Sequence, residues 1–142
     1  MTIRISHDHV GLSITPDDLD ATIAWYSRTL GFRVEQQFEA HGTTYTFLVS
    51  GDVRIELMNG ASERQVPTTD VFTSMDPARL HHVCLAVDDL DAAVAELADL
   101  GVELIGGPLE VPGAGQRIAF VADNLGNVIE LTDPGNGRAT SS

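Results

Sequence analysis

An internal repeat divides the sequence into two halves with the same pattern. HVGLSITPDDLDATIAWYSRTLGF, which begins at His9, matches HVCLAVDDLDAAVAELADLGV, which begins at His82, with short insertions. A second match pairs FLVSGDVRIEL with FVADNLGNVIEL, so Glu56 corresponds to Glu130. The two His residues are 73 positions apart and the two Glu residues 74. Because self-similarity at a fixed spacing is the signature of repeated structural units, the sequence predicts two copies of one module.

Each half has the pattern of one strand, one helix and three further strands. The opening strand alternates apolar and polar residues, and an Asp-rich stretch then precedes an apolar stripe of helical period. The stripes are Ile23, Trp25, Tyr26 and Leu30 in the first half and Leu90, Val94, Leu97 and Leu100 in the second. Gly31 and Gly101 follow the helices, as expected of C-terminal caps. The predicted fold class is α+β, with two βαβββ modules.

The later strands and the boundaries follow from turn signals. The predicted strands are residues 33–39, 43–49 and 53–58, then 103–105, 116–122 and 127–132, and the stretch GGPLEVPGAG is predicted to be a mobile surface loop. We expect one domain over residues 1–142. It is made of module 7–59, linker 60–79, module 80–133 and a disordered tail at 134–142.

Charge and cysteine content exclude several classes of function. The net charge is -13, and the eight basic residues, all Arg, are scattered along the chain. Nucleic acid and anionic membranes are therefore not expected as partners. The single Cys84 lies in an apolar run, which predicts a buried thiol. Without a signal peptide pattern or an apolar span of about 20 residues, the protein is expected in the cytoplasm.

Strand alternation places one His and one Glu of each half on the face away from the core. Val10, Leu12 and Ile14 share one face of the first strand, so His9 lies on the other. The corresponding strand places His82 in the same way, among small residues that leave room for a cavity. Apolar residues flank both Glu56 and Glu130, which directs each carboxylate away from the core. A single such Glu would be expected to face solvent, but the repeat supplies the same two residue types twice.

Two imidazoles and two carboxylates form a plausible ligand set for one divalent cation. Two carboxylates neutralise its charge, and four ligands leave two positions of an octahedral ion open for a substrate that chelates through adjacent oxygen atoms. The predicted metal ligands are therefore His9, Glu56, His82 and Glu130. The donor types leave the metal open among nickel, cobalt, manganese, magnesium, iron and zinc.

The same motifs resemble the vicinal oxygen chelate superfamily, which includes glyoxalase I, methylmalonyl-CoA epimerase, extradiol dioxygenases and the fosfomycin and bleomycin resistance proteins. The resemblance covers roughly residues 7–133 and is carried by the two His-led motifs and by IAFVADNLGNVIEL. It implies that the two modules form a curled mixed sheet around a metal site with the four ligands named above (a glyoxalase/dioxygenase-like fold). Methylmalonyl-CoA epimerases usually carry Gln at the position of Glu56, and the dioxygenases and fosfomycin-resistance enzymes usually need only the ligands that match His9, His82 and Glu130. A fourth acidic ligand therefore favours the isomerase and lyase branch.

That branch implies a metal-dependent isomerase, epimerase or lyase of the glyoxalase-I-like type. Such an enzyme moves a proton next to a metal-chelated carbonyl through an enediolate or enolate, with Glu130 and Glu56 as the proton-transferring groups. One alternative is an Fe(II) extradiol-type dioxygenase that uses His9, His82 and Glu130. A second is a metal-free drug-binding protein like the bleomycin-resistance members. The resemblance also implies a homodimer and a small-molecule substrate with adjacent oxygen atoms.

Several other residues are candidates for the site or its surroundings. Arg54 lies two positions before Glu56, so it shares that face and is predicted to bind a substrate carboxylate or phosphate. Arg117 is a weaker candidate for the same role. His7 shares the face of His9, whereas His81 is expected to point away from that of His82. Aromatic residues in such strands usually belong to the core, and this applies to Phe47, Phe72 and Phe120.

Overall fold

Two modules with the same order of elements follow one another in the computed structural model, which describes residues 3–134. The first contains β1 (Val10–Ser13), α1 (Leu19–Leu30), β2 (Arg33–Ala40), β3 (Thr43–Ser50) and β4 (Val53–Met58). The second contains β5 (His82–Ala86), α2 (Leu90–Asp99), β6 (Leu104–Val111), β7 (Gln116–Ala122) and β8 (Val128–Asp133). The predicted βαβββ pattern is confirmed in both halves.

Each module forms its own four-stranded mixed sheet. The strand orders are β1-β4-β3-β2 and β5-β8-β7-β6. The last three strands of each module form an antiparallel meander, while β1 pairs with β4 and β5 with β8 in parallel. A parallel pair needs a crossover, and the helix of each module provides it. The chain divides into two compact units between Arg64 and Gln65.

The first helix buries an aromatic face and ends at a glycine. Trp25 and Tyr26 are buried, and the Tyr26 ring contacts that of Phe32 edge to face. Gly31 follows the helix with a φ of 71°, which glycine adopts without steric cost. Asp18 does not cap the helix with its side chain. Its carboxylate instead accepts hydrogen bonds from Thr15 and Arg64, which lower the pKa of Asp18.

The second helix is capped by two carboxylates. Asp89 accepts a hydrogen bond from the Ala92 amide at 3.1 Å, as an N-cap residue does. Asp133, at the end of β8, accepts one from the Leu90 amide at 2.9 Å. Leu90 and Leu97 are buried, but Leu100 is 41% exposed, so its predicted place in the apolar stripe was wrong. The helix ends at Asp99, one residue before Leu100.

The glycine-rich stretch after α2 is a strand and not a loop. β6 continues to Val111 and pairs with β7 through two irregularities, one between Leu104 and Gly106 and one between Gly106 and Leu109. The predicted loop GGPLEVPGAG was wrong over its first half because glycine and proline here mark bulges within an outer strand.

The segment between the modules packs against the second sheet. Val71 is 3% exposed and belongs to a core cluster with Phe120 and Val128, and its amide donates to the Ile105 carbonyl at 3.0 Å. Pro67 lies against Gly126. We refer to residues 65–80 as the connecting segment. Its second half includes a short 3-10 turn at Thr73–Met75.

No helix in the described part of the chain is long and apolar enough to cross a membrane. The predicted tail begins at Pro134, and its remaining residues lie outside the described ones.

Replacing Gly106 with Ala tests how tightly the connecting segment is packed. A Cβ atom at Gly106 would lie 2.4 Å from Cγ1 of Val71 and 3.2 Å from Cδ2 of Phe120. We expect Gly106→Ala to lower the free energy of unfolding by about 1–3 kcal/mol, the usual cost of an overpacked core. Chemical denaturation would measure this loss.

The double variant Gly106→Ala, Val71→Ala gives the matched control. Because Val71→Ala removes the clashing atom, the two changes together should destabilise less than the sum of the single changes. Strict additivity would contradict the contact.

Candidate functional site

In each module the candidate His and Glu lie diagonally across the parallel strand pair. Gly11 on β1 is paired with Glu56 on β4, and His9 lies two residues before Gly11. Cys84 on β5 is paired with Glu130 on β8, and His82 lies two residues before Cys84. Residues two apart on a strand share a face, so each pair faces the same side of its sheet. The repeat seen in the sequence is therefore also a repeat of geometry.

The donor atoms of each pair are spaced as ligands of one ion would be. His9 Nε2 is 3.5 Å from Glu56 Oε1, and His82 Nε2 is 3.4 Å from Glu130 Oε2. Nitrogen and oxygen ligands at about 2.0–2.2 Å from one cation lie roughly 3.0–3.5 Å from each other. The Glu side chains are 16% and 18% exposed, so little water competes with a cation for them. Each pair fits two ligands of a divalent metal.

Asp8 sets the tautomer of His9. The Nδ1 atom of His9 lies 2.6 Å from Asp8 Oδ2. This hydrogen bond, together with the positive charge of Arg54, lowers the pKa of Asp8, so its carboxylate is ionised at neutral pH and can only accept. His9 therefore donates from Nδ1, which leaves the lone pair of Nε2 on the side of Glu56. A carboxylate in this position is the usual partner of a metal-binding histidine.

Arg54 is held by two carboxylates and one ring. Nη1 donates to Asp8 at 3.0 Å, Nε donates to Glu35 at 2.9 Å, and the guanidinium carbon lies 3.8 Å from the centroid of the Phe47 ring. These contacts raise the pKa of Arg54, with the Glu35 hydrogen bond as the largest cause. Arg54 thus fixes Asp8, and its predicted contact with substrate stays a prediction.

His82 has a different partner at the equivalent atom. Its Nδ1 lies 2.9 Å from Nδ1 of His81, and Nε2 of His81 lies 2.8 Å from Oγ of Ser74. Burial, followed by the neighbouring His82 and the positive charge of Arg79, lowers the pKa of His81. The expectation that His81 points away from His82 was wrong, because His81 precedes the regular strand and its ring turns back.

Each candidate His also contacts a buried phenylalanine. The ring of His9 meets Phe47 edge to face at 5.1 Å, and that of His82 meets Phe120 in the same manner at 5.9 Å. Phe47 is paired with Glu56 and Phe120 with Glu130. Both phenylalanines are buried core residues as predicted, yet they also fix the histidine rings. Sequence reasoning left this contact out, although the repeat places both residues at matching positions.

The first sheet presents a row of aromatic rings beside His9. Phe38 stacks on Tyr45 at 5.4 Å and lies 6.2 Å from Phe47. Phe38 is 38% exposed, so this row is open at its outer end. Phe72, by contrast, is exposed in the connecting segment and is not the core residue that the sequence predicted.

The structure corrects the prediction for Cys84 and shows where Arg117 and His7 lie. Cys84 is exposed, because it lies on the same face as His82 and not on the apolar face. Arg117 pairs with Asp91 at 2.7 Å and lies on the face of β7 opposite to that of Phe120, so it is not beside Glu130. His7 is exposed in the stretch before β1.

Asp123 builds the turn that leads into β8. Its Oδ1 accepts hydrogen bonds from the amides of Leu125 and Asn127, and its Oδ2 accepts one from the Asn127 side chain. Gly126 completes the turn with a φ of 86°. The turn sets the register of β8 against β7 and thereby the position of Glu130.

The grouping of all four predicted ligands stays a prediction. Within residues 3–134, no group of three or more His, Cys, Asp and Glu side chains is arranged to hold a metal ion. Each module supplies one half of the predicted ligand set.

Comparison with known families agrees with this geometry. The family described as "Glyoxalase/Bleomycin resistance protein/Dioxygenase superfamily" matches residues 8–120. The chain belongs to this superfamily. The matched range contains both histidines and Glu56, while Glu130 lies beyond it in β8.

Among curated relatives in the superfamily, several are epimerases. The "Ethylmalonyl-CoA/methylmalonyl-CoA epimerase" of Cereibacter sphaeroides is 30% identical over 129 residues, which cover 87% of this chain and 94% of the relative. The human "Methylmalonyl-CoA epimerase, mitochondrial" is 25% identical over 128 residues, which cover 87% of this chain and 71% of the relative.

Solved structures of the superfamily share the fold. TnmS3, described as "an antibiotic binding protein from Streptomyces sp. CB03234", has a TM-score of 0.68 and 26% identity, covering 94% of this chain and all of that one. A glyoxylase/bleomycin resistance protein/dioxygenase domain from Frankia sp. EAN1pec has a TM-score of 0.73 at 21% identity, covering 96% of each chain.

The turn at Asp123 offers a test that is independent of any ligand. Asp123→Ala removes the acceptor of three hydrogen bonds, and we expect a loss of about 1–3 kcal/mol in unfolding free energy for the amides left without a partner. Asp123→Asn keeps one acceptor oxygen and should lose less. Equal stability of Asp123→Ala and the wild type in thermal unfolding would show that the turn is held by other contacts.

Proposed function

We propose that this chain is a metal-dependent epimerase that moves a proton on the carbon next to a metal-chelated carbonyl. One observation carries the proposal. A chain that aligns over most of its length with methylmalonyl-CoA epimerases has two equivalent His–Glu pairs, with donor atoms 3.5 and 3.4 Å apart. The sequence predicts an isomerase, epimerase or lyase of the glyoxalase-I-like type, and the names of the relatives favour the epimerase among these.

The proposed metal ligands are His9, Glu56, His82 and Glu130. The pairing of each Nε2 with a carboxylate oxygen supports this set, as does the hydrogen bond that holds the other ring nitrogen of each histidine. A bound divalent cation would polarise the substrate carbonyl and stabilise the negative charge that develops on it. The equal geometry of Glu56 and Glu130 supports a four-ligand site over the three-ligand site of a dioxygenase.

Glu56 and Glu130 are also the proposed proton-transferring groups. A carboxylate oxygen of one Glu takes the proton from the substrate carbon as the C–H bond breaks, and the electron pair moves towards the carbonyl. The other Glu, which holds a proton at the start of this step, returns it to the opposite face of that carbon and ends as the carboxylate, which completes the inversion.

The proposed substrates are 2-alkylmalonyl-CoA thioesters. Such a substrate has a thioester carbonyl and a carboxylate on the same carbon, so it offers the two chelating oxygens that the ligand set leaves room for. The names of the relatives support this class. Arg54 is the proposed contact for the substrate carboxylate through Nη2, because its Nε and Nη1 are already bonded to Glu35 and Asp8.

Metal content tests the ligand set. We expect untagged wild-type protein to hold one divalent ion per site, the double variant His9→Ala, His82→Ala to hold none, and Glu56→Gln to bind more weakly, because a neutral amide is the poorer ligand. Elemental analysis after dialysis measures this, with Arg117→Gln as a charge-changing control away from the candidate ligands. Iron retained in Glu56→Gln would indicate the dioxygenase instead.

Mixing single variants tests which chains supply the ligands. If two chains of a homodimer contribute to each site, a mixture of His9→Ala and His82→Ala proteins should regain part of the metal, because some dimers then hold one intact site. If one chain supplies all four ligands, the mixture should bind no more than its components.

Proton exchange tests the reaction itself. In D2O we expect the wild type to exchange the C2 proton of methylmalonyl-CoA and ethylmalonyl-CoA, as followed by proton NMR. Exchange should fall at least about 100-fold in Glu130→Gln and after treatment with a chelator, since each removes a group required for proton transfer. Thr73→Ala, a change in the connecting segment, should exchange at the wild-type rate.

A ligand-binding protein without catalysis is the second candidate. The aromatic row of Phe38, Tyr45 and Phe47 and the likeness to TnmS3 favour it. Absence of exchange, together with binding of planar aromatic compounds by metal-stripped protein that is lost in Phe38→Ala, would favour this candidate over the epimerase.

A further inference from the structure

A chain of hydrogen bonds runs from the connecting segment to the candidate ligand His82. It begins at the Val71 carbonyl, which accepts from Oγ of Ser74. It continues from Ser74 Oγ to Nε2 of His81 at 2.8 Å, and from His81 Nδ1 to Nδ1 of His82 at 2.9 Å. At its far end, Nε2 of His82 lies 3.4 Å from Glu130. All of these groups belong to the second unit.

The hydrogen bond from Ser74 to the Val71 carbonyl determines which atoms donate and which accept in the other hydrogen bonds of the chain. A carbonyl only accepts, so the single hydrogen of the Ser74 hydroxyl is used on Val71. Ser74 can then only accept from His81, which requires hydrogen on Nε2 of His81. In the neutral His81 ring the other nitrogen, Nδ1, is therefore an acceptor. His82 must donate to it from Nδ1, and Nε2 of His82 is left with its lone pair.

The position of Ser74 is itself firmly determined. Val71 is buried against Phe120 and Val128. The Asp70 side chain accepts from the Phe72 amide at 3.1 Å, and the Asp70 and Val71 carbonyls accept from the Ser74 amide at 3.3 and 3.2 Å. Ser74 is 6% exposed, so water does not readily replace its bonds. The hydroxyl is thus presented to His81 by a segment anchored in the core.

We propose that Ser74 and His81 are positioning residues that hold His82 as its Nδ1–H tautomer, with Nε2 ready to bind a cation beside Glu130. In water a neutral histidine favours the opposite tautomer, with hydrogen on Nε2, which would block that atom as a ligand. The role of the cation rests on the proposed function, but the tautomer does not.

Histidine nitrogen shifts test the tautomer without any metal. In 15N-labelled apo protein at mildly alkaline pH, where the rings are neutral, we expect His82 to show a protonated Nδ1 and an unprotonated Nε2. His82→Gln assigns the signals. A wild-type His82 protonated on Nε2 overturns the proposal, and this measurement needs no destabilised variant.

Metal binding tests whether the tautomer of His82 affects its affinity for a cation. Ser74→Ala should shift His82 towards the Nε2–H tautomer and weaken binding of Co²⁺ alone by about 10–100-fold, the usual effect of losing an outer partner of a ligand. Ser74→Thr keeps the hydroxyl and should restore both. Thr73→Ala removes a similar hydroxyl–carbonyl bond from the same turn and should change neither.

The outcomes separate this proposal from the proposed function. Unchanged tautomer and Co²⁺ affinity in a folded Ser74→Ala protein would overturn the positioning role and leave the epimerase standing. A wild type with the Nδ1–H tautomer that does not bind Co²⁺ would support the positioning role and count against the metal site.

Discussion

The parallel pairing of β1 with β4 and of β5 with β8 is the constraint on which the candidate site depends. Its register places Glu56 opposite Gly11 and Glu130 opposite Cys84, so each carboxylate lies diagonally from a histidine. A slip of one residue would turn every side chain of the strand to the other face. Buried Ile55 and Leu57, and Ile129 and Leu131, resist such a slip, because it would expose them. The packing of the core therefore also aligns the ligand candidates.

The sequence predicts these features because they depend on periodicity. The repeat indicates two modules, and strand alternation places Glu56 and Glu130 on the open face. Features that depend on contacts distant in sequence were missed. Nothing near Ser74 shows that its hydroxyl meets His81, and the anchoring of the connecting segment rests on one apolar residue, Val71, in a polar stretch.

Composition led to wrong predictions for Cys84 and for GGPLEV. The face of the strand on which Cys84 lies, and the irregular course of β6, determine the environment of these residues. Cys84 has apolar neighbours but lies on the open face. The glycines of GGPLEV resemble a loop, yet they belong to β6. In both cases the residues have the composition on which the prediction was based, but their position in the sheet determines their environment. The predicted grouping of the two His–Glu pairs depends on how modules assemble, and no local pattern specifies that.

The two modules differ in how they support their histidines. Asp8 is a carboxylate fixed by Arg54, whereas His81 is a neutral ring fixed by a serine. An anionic hydrogen-bond partner makes an imidazole a stronger electron-pair donor to a metal ion than a neutral partner does. The proposed metal ligands are thus the same in both modules, but the residues that hydrogen-bond to the two histidines differ.

The irregular course of β6 also affects how this chain meets its own copies. An outer strand with evenly spaced amides and carbonyls is a template on which another chain can add a strand. In β6 the two irregularities around Gly106 interrupt that spacing, Pro108 has no amide hydrogen, and the carbonyl of Ile105 is occupied by Val71. Growth of this sheet at β6 by main-chain hydrogen bonding is therefore suppressed, and self-association along this edge must rely on side chains.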